Sequence, residues 1–255
     1  MKKRLMPYLS LVIVLYVGAC AYLYFNQRKM LYAPTPQVYT AGAEKIALPS
    51  DGETLRIWQV GPPDGNAIIY FGGNAEDVAE VIPEFSRHFP HSTIYLVNYR
   101  GYGGSTGLPS EAGLFKDALA VYDFVRARHN DISLIGRSLG SGVAVYLETS
   151  REVKKLVLTT PYDSIEAVAK KQFPYFPVSL LLRDKFASDA RAASIAIPTM
   201  IIVAASDDVI PHERTEALIA AFRKSTPLRR TVPMSTHNTI LGSDTYWQDI
   251  GEFLH

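Results

Sequence analysis

Residues 5–25 carry no charged side chain and are almost wholly apolar, with Lys2-Lys3-Arg4 before them and Asn26-Gln27-Arg28-Lys29 after. As a helix rising 1.5 Å per residue, such a run reaches about 30 Å, the thickness of a bilayer's hydrocarbon core. Tyr16, Tyr22, Tyr24 and Phe25 crowd its far end, where an interfacial aromatic belt belongs. Residues 1–29 therefore predict a single-pass N-terminal membrane anchor. Lys2, Lys3, Arg4 and the α-amino group outweigh Arg28 and Lys29, so the positive-inside bias puts the body outside the cytoplasm, in the periplasm of a bacterial source. A second reading stays open: Val17-Gly18-Ala19-Cys20 fits the small-residue box before a lipid-modified cysteine, which would make a lipoprotein anchored through Cys20. Against it, the apolar run continues from Ala21 to Phe25, where a mature lipoprotein turns polar.

Beyond residue 30 the pattern changes. Short β-type runs at 44–49 and 54–60 flank Ser50-Asp51-Gly52, a hairpin signal. Apolar runs at 67–71, 93–97, 132–135, 155–160, 199–205 and 229–234 then alternate with helical periodicity, which predicts βαβ units and a parallel sheet covered on both faces. The clearest helix is 111–128, with Ser110 as N-cap and Leu114, Ala118, Val121, Phe124 and Val125 on one stripe. Others are predicted after Ser138, from Pro211 onward, and over 244–254. Residues 162–195 break the alternation; rich in aromatics and prolines and too long for a simple crossover, they are a candidate lid. The whole of 30–255 reads as one α/β domain.

With hydrophobic residues at 47% and charged residues at 20%, the chain can bury a core. The net charge of +1 hides an asymmetry: five of the 26 Lys and Arg precede residue 30, where no acid stands, so the remaining 21 face all 25 Asp and Glu. A mildly acidic body argues against nucleic acid as a partner. The lone cysteine, Cys20, lies in the apolar run and excludes a disulfide framework or cysteine metal site in the body. No His/Cys/Asp/Glu cluster and no phosphate-cradling glycine loop is evident, so neither a metal nor a cofactor is expected.

The pattern Gly-x-Ser-x-Gly arises by chance in roughly one chain of this length in ten, and here it occurs twice. Gly103-Gly104-Ser105-Thr106-Gly107 runs into Leu108-Pro109, a loop composition, so Ser105 reads as a turn serine. Gly136-Arg137-Ser138-Leu139-Gly140 follows an apolar strand and opens a helix, the context of a nucleophile elbow. A serine nucleophile needs a base and an acid to orient it, in the chain order Ser, Asp or Glu, His. The strand at 199–205 ends in Ser206-Asp207-Asp208, where Asp207 is the expected acid and Asp208 the cap of the following helix. Of the histidines beyond it, His212 opens that helix and His255 ends the chain, leaving His237, just after the last strand, as the base. The backbone N–H groups of Leu139 and of Asn74, which follows the strand 67–71 and Gly72-Gly73, are the expected oxyanion donors.

Tyr70 to Asp77, Asn98-Tyr99-Arg100-Gly101-Tyr102-Gly103, the Ser138 elbow, Asp207 four before Pro211, and His237-Asn238 together resemble the α/β-hydrolase superfamily from about residue 46 to the C-terminus. Within it they are similar to the branch of single-pass, membrane-anchored serine hydrolases that includes protein depalmitoylases and lysophospholipid lipases. The chain departs from many of these in carrying Gly72-Gly73 where they have His-Gly. The resemblance implies a mostly parallel eight-stranded sheet with helices on both faces and a short lid, and an enzyme cleaving an ester or thioester through an acyl-enzyme on Ser138. Amide or peptide hydrolysis on the same triad, and a non-catalytic membrane-bound binding module, are the alternatives. Phe173, Tyr175, Phe176, Val178 and Leu180 to Leu182 in the candidate lid suggest a substrate with a medium or long acyl chain at a membrane surface, with Lys170, Lys171, Arg183 and Lys185 placed to meet anionic head groups.

Overall fold

A computed structural model describes residues 2–38 and 42–255. Met1 and the side chains of Lys2, Lys3 and Arg4, on which the orientation count rests, lie outside the described part of the chain. The first helix, α1 (Lys2–Leu31), is unbroken, passes through Cys20, and outlasts the expected anchor by two residues. Its Leu9–Leu31 portion is long and apolar enough to cross a membrane.

The expected hairpin is β1 (Glu44–Ser50) against β2 (Glu53–Val60), turning at Asp51 and Gly52 with φ of 48° and 81°. Then come β3 (Asn66–Phe71), α2 (Ile82–His88), β4 (Ser92–Val97), α3 (Glu111–Arg126), β5 (Ile132–Arg137), α4 (Leu139–Glu148) and β6 (Lys155–Thr159). The 162–195 excursion holds three short helices, α5 (Ile165–Gln172), α6 (Val178–Leu181) and α7 (Ser188–Ala192). The chain closes with β7 (Thr199–Ser206), α8 (His212–Ala221), β8 (Leu228–Thr236) and α9 (Asp244–Leu254). The eight strands form one sheet ordered β1-β2-β4-β3-β5-β6-β7-β8, parallel from β4 through β8, with β1 and β2 antiparallel.

Every predicted strand is present, most of them a residue or two longer. The extensions run through polar residues such as Arg137, Ser206 and Thr236, where ladder hydrogen bonds continue although the apolar run has stopped. Ser110 caps α3 by accepting from the Gly113 N–H, as expected, although the helix ends at Arg126. Pro211 stands before α8 in extended backbone (ψ 134°), so that helix starts at His212.

Side-chain alternation along the strands builds two cores. Ala67, Ile69 and Phe71 of β3 join Leu114, Ala118, Val143 and Leu147 of α3 and α4 on one face. Ile68 and Tyr70 join Ile82, Phe85, Trp247 and Ile250 of α2 and α9 on the other. Both faces of the sheet are thus covered, the reason its central strands read as continuous apolar runs. The C-terminal ends of β3, β5, β7 and β8 come together along one edge, the place where an open parallel sheet presents a crevice.

Candidate active site

Ser138 stands between the last residue of β5 and the first of α4, with φ 48° and ψ −114°. A non-glycine residue rarely adopts a positive φ, and here it turns the hydroxyl out of the strand-to-helix corner. The glycines on either side make that corner possible. A Cβ on Gly136 would lie 2.5 Å from the Gly140 carbonyl oxygen, and one on Gly140 would lie 2.1 Å from the carbonyl oxygen of Phe71.

Asp207 immediately follows β7, whose pairing with β8 is irregular between Ala204 and Ser206, and His237 immediately follows β8. The three side chains meet. His237 Nε2 is 2.9 Å from Ser138 Oγ, and His237 Nδ1 is 3.0 Å from each Asp207 carboxylate oxygen. Ser138 and His237 are buried. Burial alone would raise the Asp207 carboxyl, but the hydrogen bond with His237 and those from the Ile210 and Val209 N–H groups hold it below the usual aspartate value. An ionised carboxylate at Nδ1 leaves Nε2 free to accept the Ser138 proton, which is what makes such a hydroxyl nucleophilic.

Asp208 is a correction. It is exposed and caps nothing; Asp207 itself takes the N–H groups of Val209 and Ile210, and α8 has no side-chain cap. Those two N–H groups belong to the loop between β7 and α8, so Asp207 braces its own loop and His237 without capping the helix. Ser105 is a turn serine, as expected: its Oγ accepts from the Arg56 N–H at 2.8 Å and donates to the Asn98 carbonyl at 2.9 Å.

Leu139 is the first residue of α4, so its N–H has no intrahelical partner. Asn74 lies across the same crevice, and both residues line one cavity with Ser138. The Asn74 side chain is fixed by three groups: its Oδ1 accepts from the Ala33 N–H (2.9 Å) and the Tyr102 hydroxyl (2.7 Å), and its Nδ2 donates to the Leu31 carbonyl (2.8 Å).

Two residues that sequence reasoning missed tie these parts together. Arg137 Nη1 lies 2.6 Å from Glu76 Oε2, while Arg137 Nη2 donates to the His237 carbonyl at 2.9 Å. Glu76 also accepts from the Gly73 N–H at 2.6 Å and from the Tyr70 hydroxyl. Burial lifts that phenol well above its ordinary range, so it stays a neutral donor. One buried ion pair thereby holds the loop after β3, the serine elbow and the histidine loop in register. Nothing in the sequence pairs them, since the two residues meet only through the adjacency of β3 and β5.

The cavity beside Ser138 measures about 420 Å³ and is mostly apolar. Ile165, Phe173 and Phe176 of the 162–195 excursion form one wall and Val209 and Ile210 another. The end of α1 forms a third, which the sequence did not suggest. Lys170 and Lys185 are paired with Glu166 (2.6 and 2.9 Å) and Lys171 with Glu213 (2.9 Å), so the excursion offers less free positive charge than its sequence implies.

No protein-family model matches the chain. An uncharacterized protein of Mycobacterium tuberculosis is 32% identical over 235 residues, covering 86% of this chain and 83% of its own. Protein bem46 of Schizosaccharomyces pombe is 25% identical over 264 residues, covering 92% of this chain and 88% of its own. Lysophosphatidylserine lipase ABHD12 of Macaca fascicularis is 32% identical over 169 residues, 58% of this chain and 41% of that protein. Among solved structures, the esterase Pf2001 of Pyrococcus furiosus superposes with a TM-score of 0.67 at 17% identity, covering 88% of this chain and 96% of its own. Est1E of Butyrivibrio proteoclasticus gives 0.67 at 16% identity, covering 84% and 98%.

Proposed function

The chain belongs to the α/β-hydrolase superfamily, and on that premise we propose that it is a membrane-tethered serine hydrolase cleaving a carboxylic ester or thioester. The observation that carries this reading is the unbroken relay from Ser138 through His237 to Asp207 at the mouth of an apolar cavity. Esterases among the solved structures and a lysophosphatidylserine lipase among the relatives support an ester as the bond attacked.

Ser138 Oγ attacks the substrate's carbonyl carbon while His237 Nε2 takes the hydroxyl proton. The oxyanion that forms is held by the N–H groups of Leu139 and Asn74. Collapse breaks the bond to the leaving group, which receives the proton from His237, and leaves an acyl ester on Ser138. Water, deprotonated by the same imidazole, attacks that ester and releases the acid. Asp207 holds the tautomer throughout.

The tether is α1. Leu9, Val12, Val14 and Leu15 are more than half exposed, which suits a helix surrounded by lipid rather than by protein. We read it as an uncleaved anchor with the 30–255 domain outside the cytoplasm. Tyr16, on the N-terminal side of Cys20, stacks on Phe176 at 5.7 Å, a contact that a chain processed at Cys20 would lack. Intact mass of membrane-extracted protein checks this, a diacylated species starting at Cys20 being the contrary result.

The decisive experiment is labelling with a fluorophosphonate together with a p-nitrophenyl ester panel and a peptide-amide panel. Label on wild type and Ser105→Ala but not on Ser138→Ala, with esters cleaved and amides not, is the expected outcome. Labelling of Ser138→Ala at the wild-type level would overturn the assignment, and turnover of the amides alone would replace the ester reading.

A further inference from the structure

The last turns of α1 are not a passive stalk. Leu23, Gln27, Met30 and Leu31 line the same cavity as Ser138. They are clamped to the segment that forms its opposite wall. Arg28 grips the buried carboxylate of Asp184 through Nε at 2.8 Å and Nη2 at 3.1 Å, and the Tyr32 hydroxyl donates to that carboxylate at 3.2 Å. Gln27 Nε2 donates to the Leu181 carbonyl at 3.0 Å, and Gln27 Oε1 accepts from the Arg183 N–H at 2.7 Å. Farther down, the Tyr16 hydroxyl donates to the Tyr175 carbonyl at 2.9 Å and the Tyr16 ring stacks on Phe176. Tyr16 and Gln27 are eleven residues apart, so the segment around 175–183 follows α1 for roughly 16 Å.

That path lies along the part of α1 that the membrane would surround. The segment and the helix carry exposed apolar groups there, Tyr175 at 86%, Leu180 at 83%, Phe25 at 80% and Tyr22 at 65% exposure. In water such a cluster is a liability, whereas in lipid it is ordinary. One cavity is lined both by Ser138 and by these two lipid-facing elements, so a chain that parts them reaches the nucleophile from the bilayer side.

We propose that the end of α1 is itself a wall of the acyl-chain site, so that a single acyl chain of a bilayer-resident substrate enters sideways between α1 and residues 173–182 to reach Ser138. This rests on the serine hydrolase reading above and goes beyond it by making the anchor a specificity element. A methylene needs about as much room as a water's share of liquid, roughly 30 Å³, so the cavity of about 420 Å³ suits one medium to long chain. Leu23 and Met30 set the depth to which the chain extends, and Gln27, hydrogen-bonded to the Leu181 carbonyl and the Arg183 N–H, holds the two walls together.

The test uses the full-length protein in phosphatidylcholine vesicles. A long-chain alkyl fluorophosphonate bearing a terminal diazirine is allowed to react with Ser138, then photolysed, and the cross-linked peptide is identified by mass spectrometry. Cross-links to residues 23–31 are expected. Cross-links found only elsewhere overturn the proposal, while failure of Ser138 to react at all overturns the hydrolase reading on which it stands. In parallel, Leu23→Trp is compared with Leu15→Trp, which adds the same bulk to α1 outside the cavity. The ratio of kcat/KM for tetradecanoyl over butyryl ester should fall tenfold or more in Leu23→Trp and stay within twofold of wild type in Leu15→Trp. An unchanged ratio in Leu23→Trp counts against the proposal, and so does an equal fall in both variants, which would point to the tether's general fit in the membrane.

Discussion

Arg137 Nη1 and Glu76 Oε2 lie 2.6 Å apart with side chains only 8% and 6% exposed, and this pair locks three loops of the candidate site. Their sequence separation is 61 residues; adjacency of β3 and β5 in the sheet is what brings them together. Removing one partner of such a pair strands the other charge away from water, a loss of about 3–5 kcal/mol.

Arg137→Met should therefore lower thermal stability by that order and reduce turnover. Arg137→Lys restores a charge for Glu76 but cannot reach the His237 carbonyl as well, so kcat should drop roughly tenfold to a hundredfold with KM little changed and a smaller melting shift. The double variant Arg137→Met/Glu76→Gln should regain part of the stability without regaining turnover. Recovery of both, or of neither, would mean that the pair does not position the histidine loop.

Asp207 and Asp208 separate cleanly. Asp207→Asn keeps a side chain of the same shape but leaves the imidazole in the wrong tautomer, and kcat should fall on the order of 10⁴-fold. Asp208 is exposed and caps nothing, so Asp208→Asn should move neither kcat nor the melting temperature by a measurable amount, within about 0.5 kcal/mol. Kinetics and melts of the two variants side by side check this, and a stability loss confined to Asp208→Asn would restore it as a cap.

The legible part of the site is the part with local chemistry. Ser138 could be read because glycines two residues to either side and a strand-to-helix switch are visible within a dozen residues, and Asp207 and His237 because each stands just past the end of a strand. Glu76 and Arg137 were invisible because their relation exists only across the sheet, and a charge in a sequence gives no sign of being buried. The contribution of α1 was hidden for a different reason. Gln27 and Arg28 look like the polar collar of an anchor, and only the fold shows them hydrogen-bonded to Leu181, Arg183 and Asp184.

Gly140→Ala tests the elbow through space rather than chemistry. The added methyl group would fall 2.1 Å from the Phe71 carbonyl oxygen and 2.7 Å from that of Gly72, backbone that cannot step aside without moving the loop that carries Asn74. A destabilisation of about 3 kcal/mol or more is expected, with activity lost in whatever folds. Gly251 in α9 is the control, since a Cβ there meets nothing within 4 Å, and Gly251→Ala should raise stability by about 0.5–1 kcal/mol. Denaturant midpoints decide, and equal effects of the two substitutions would remove the steric argument.

Glu148, the last residue of α4, supplies a pH test that leaves the candidate site untouched. Burial pushes its carboxyl up from 4.5 to about 7, and a carboxylate at a helix C-terminus is also unwelcome to the dipole. Between those two values the folded protein holds a proton that the unfolded chain has released, so stability must decline as pH rises from about 4.5 and level off above about 7. Because the group is only partly shielded from solvent, the decline should be on the order of 1–2 kcal/mol rather than the full linkage value. Asp207 acts in the other direction and in another window. Its carboxyl is held below 3.8, so the stability it contributes is present above about pH 4 and is lost as pH falls through its lower folded value. Replacing Glu148 with Gln removes only the first effect: wild type and variant should melt together at pH 4.5 and diverge toward pH 8, with the variant the more stable. Parallel melting curves across that whole range would falsify the buried proton on Glu148.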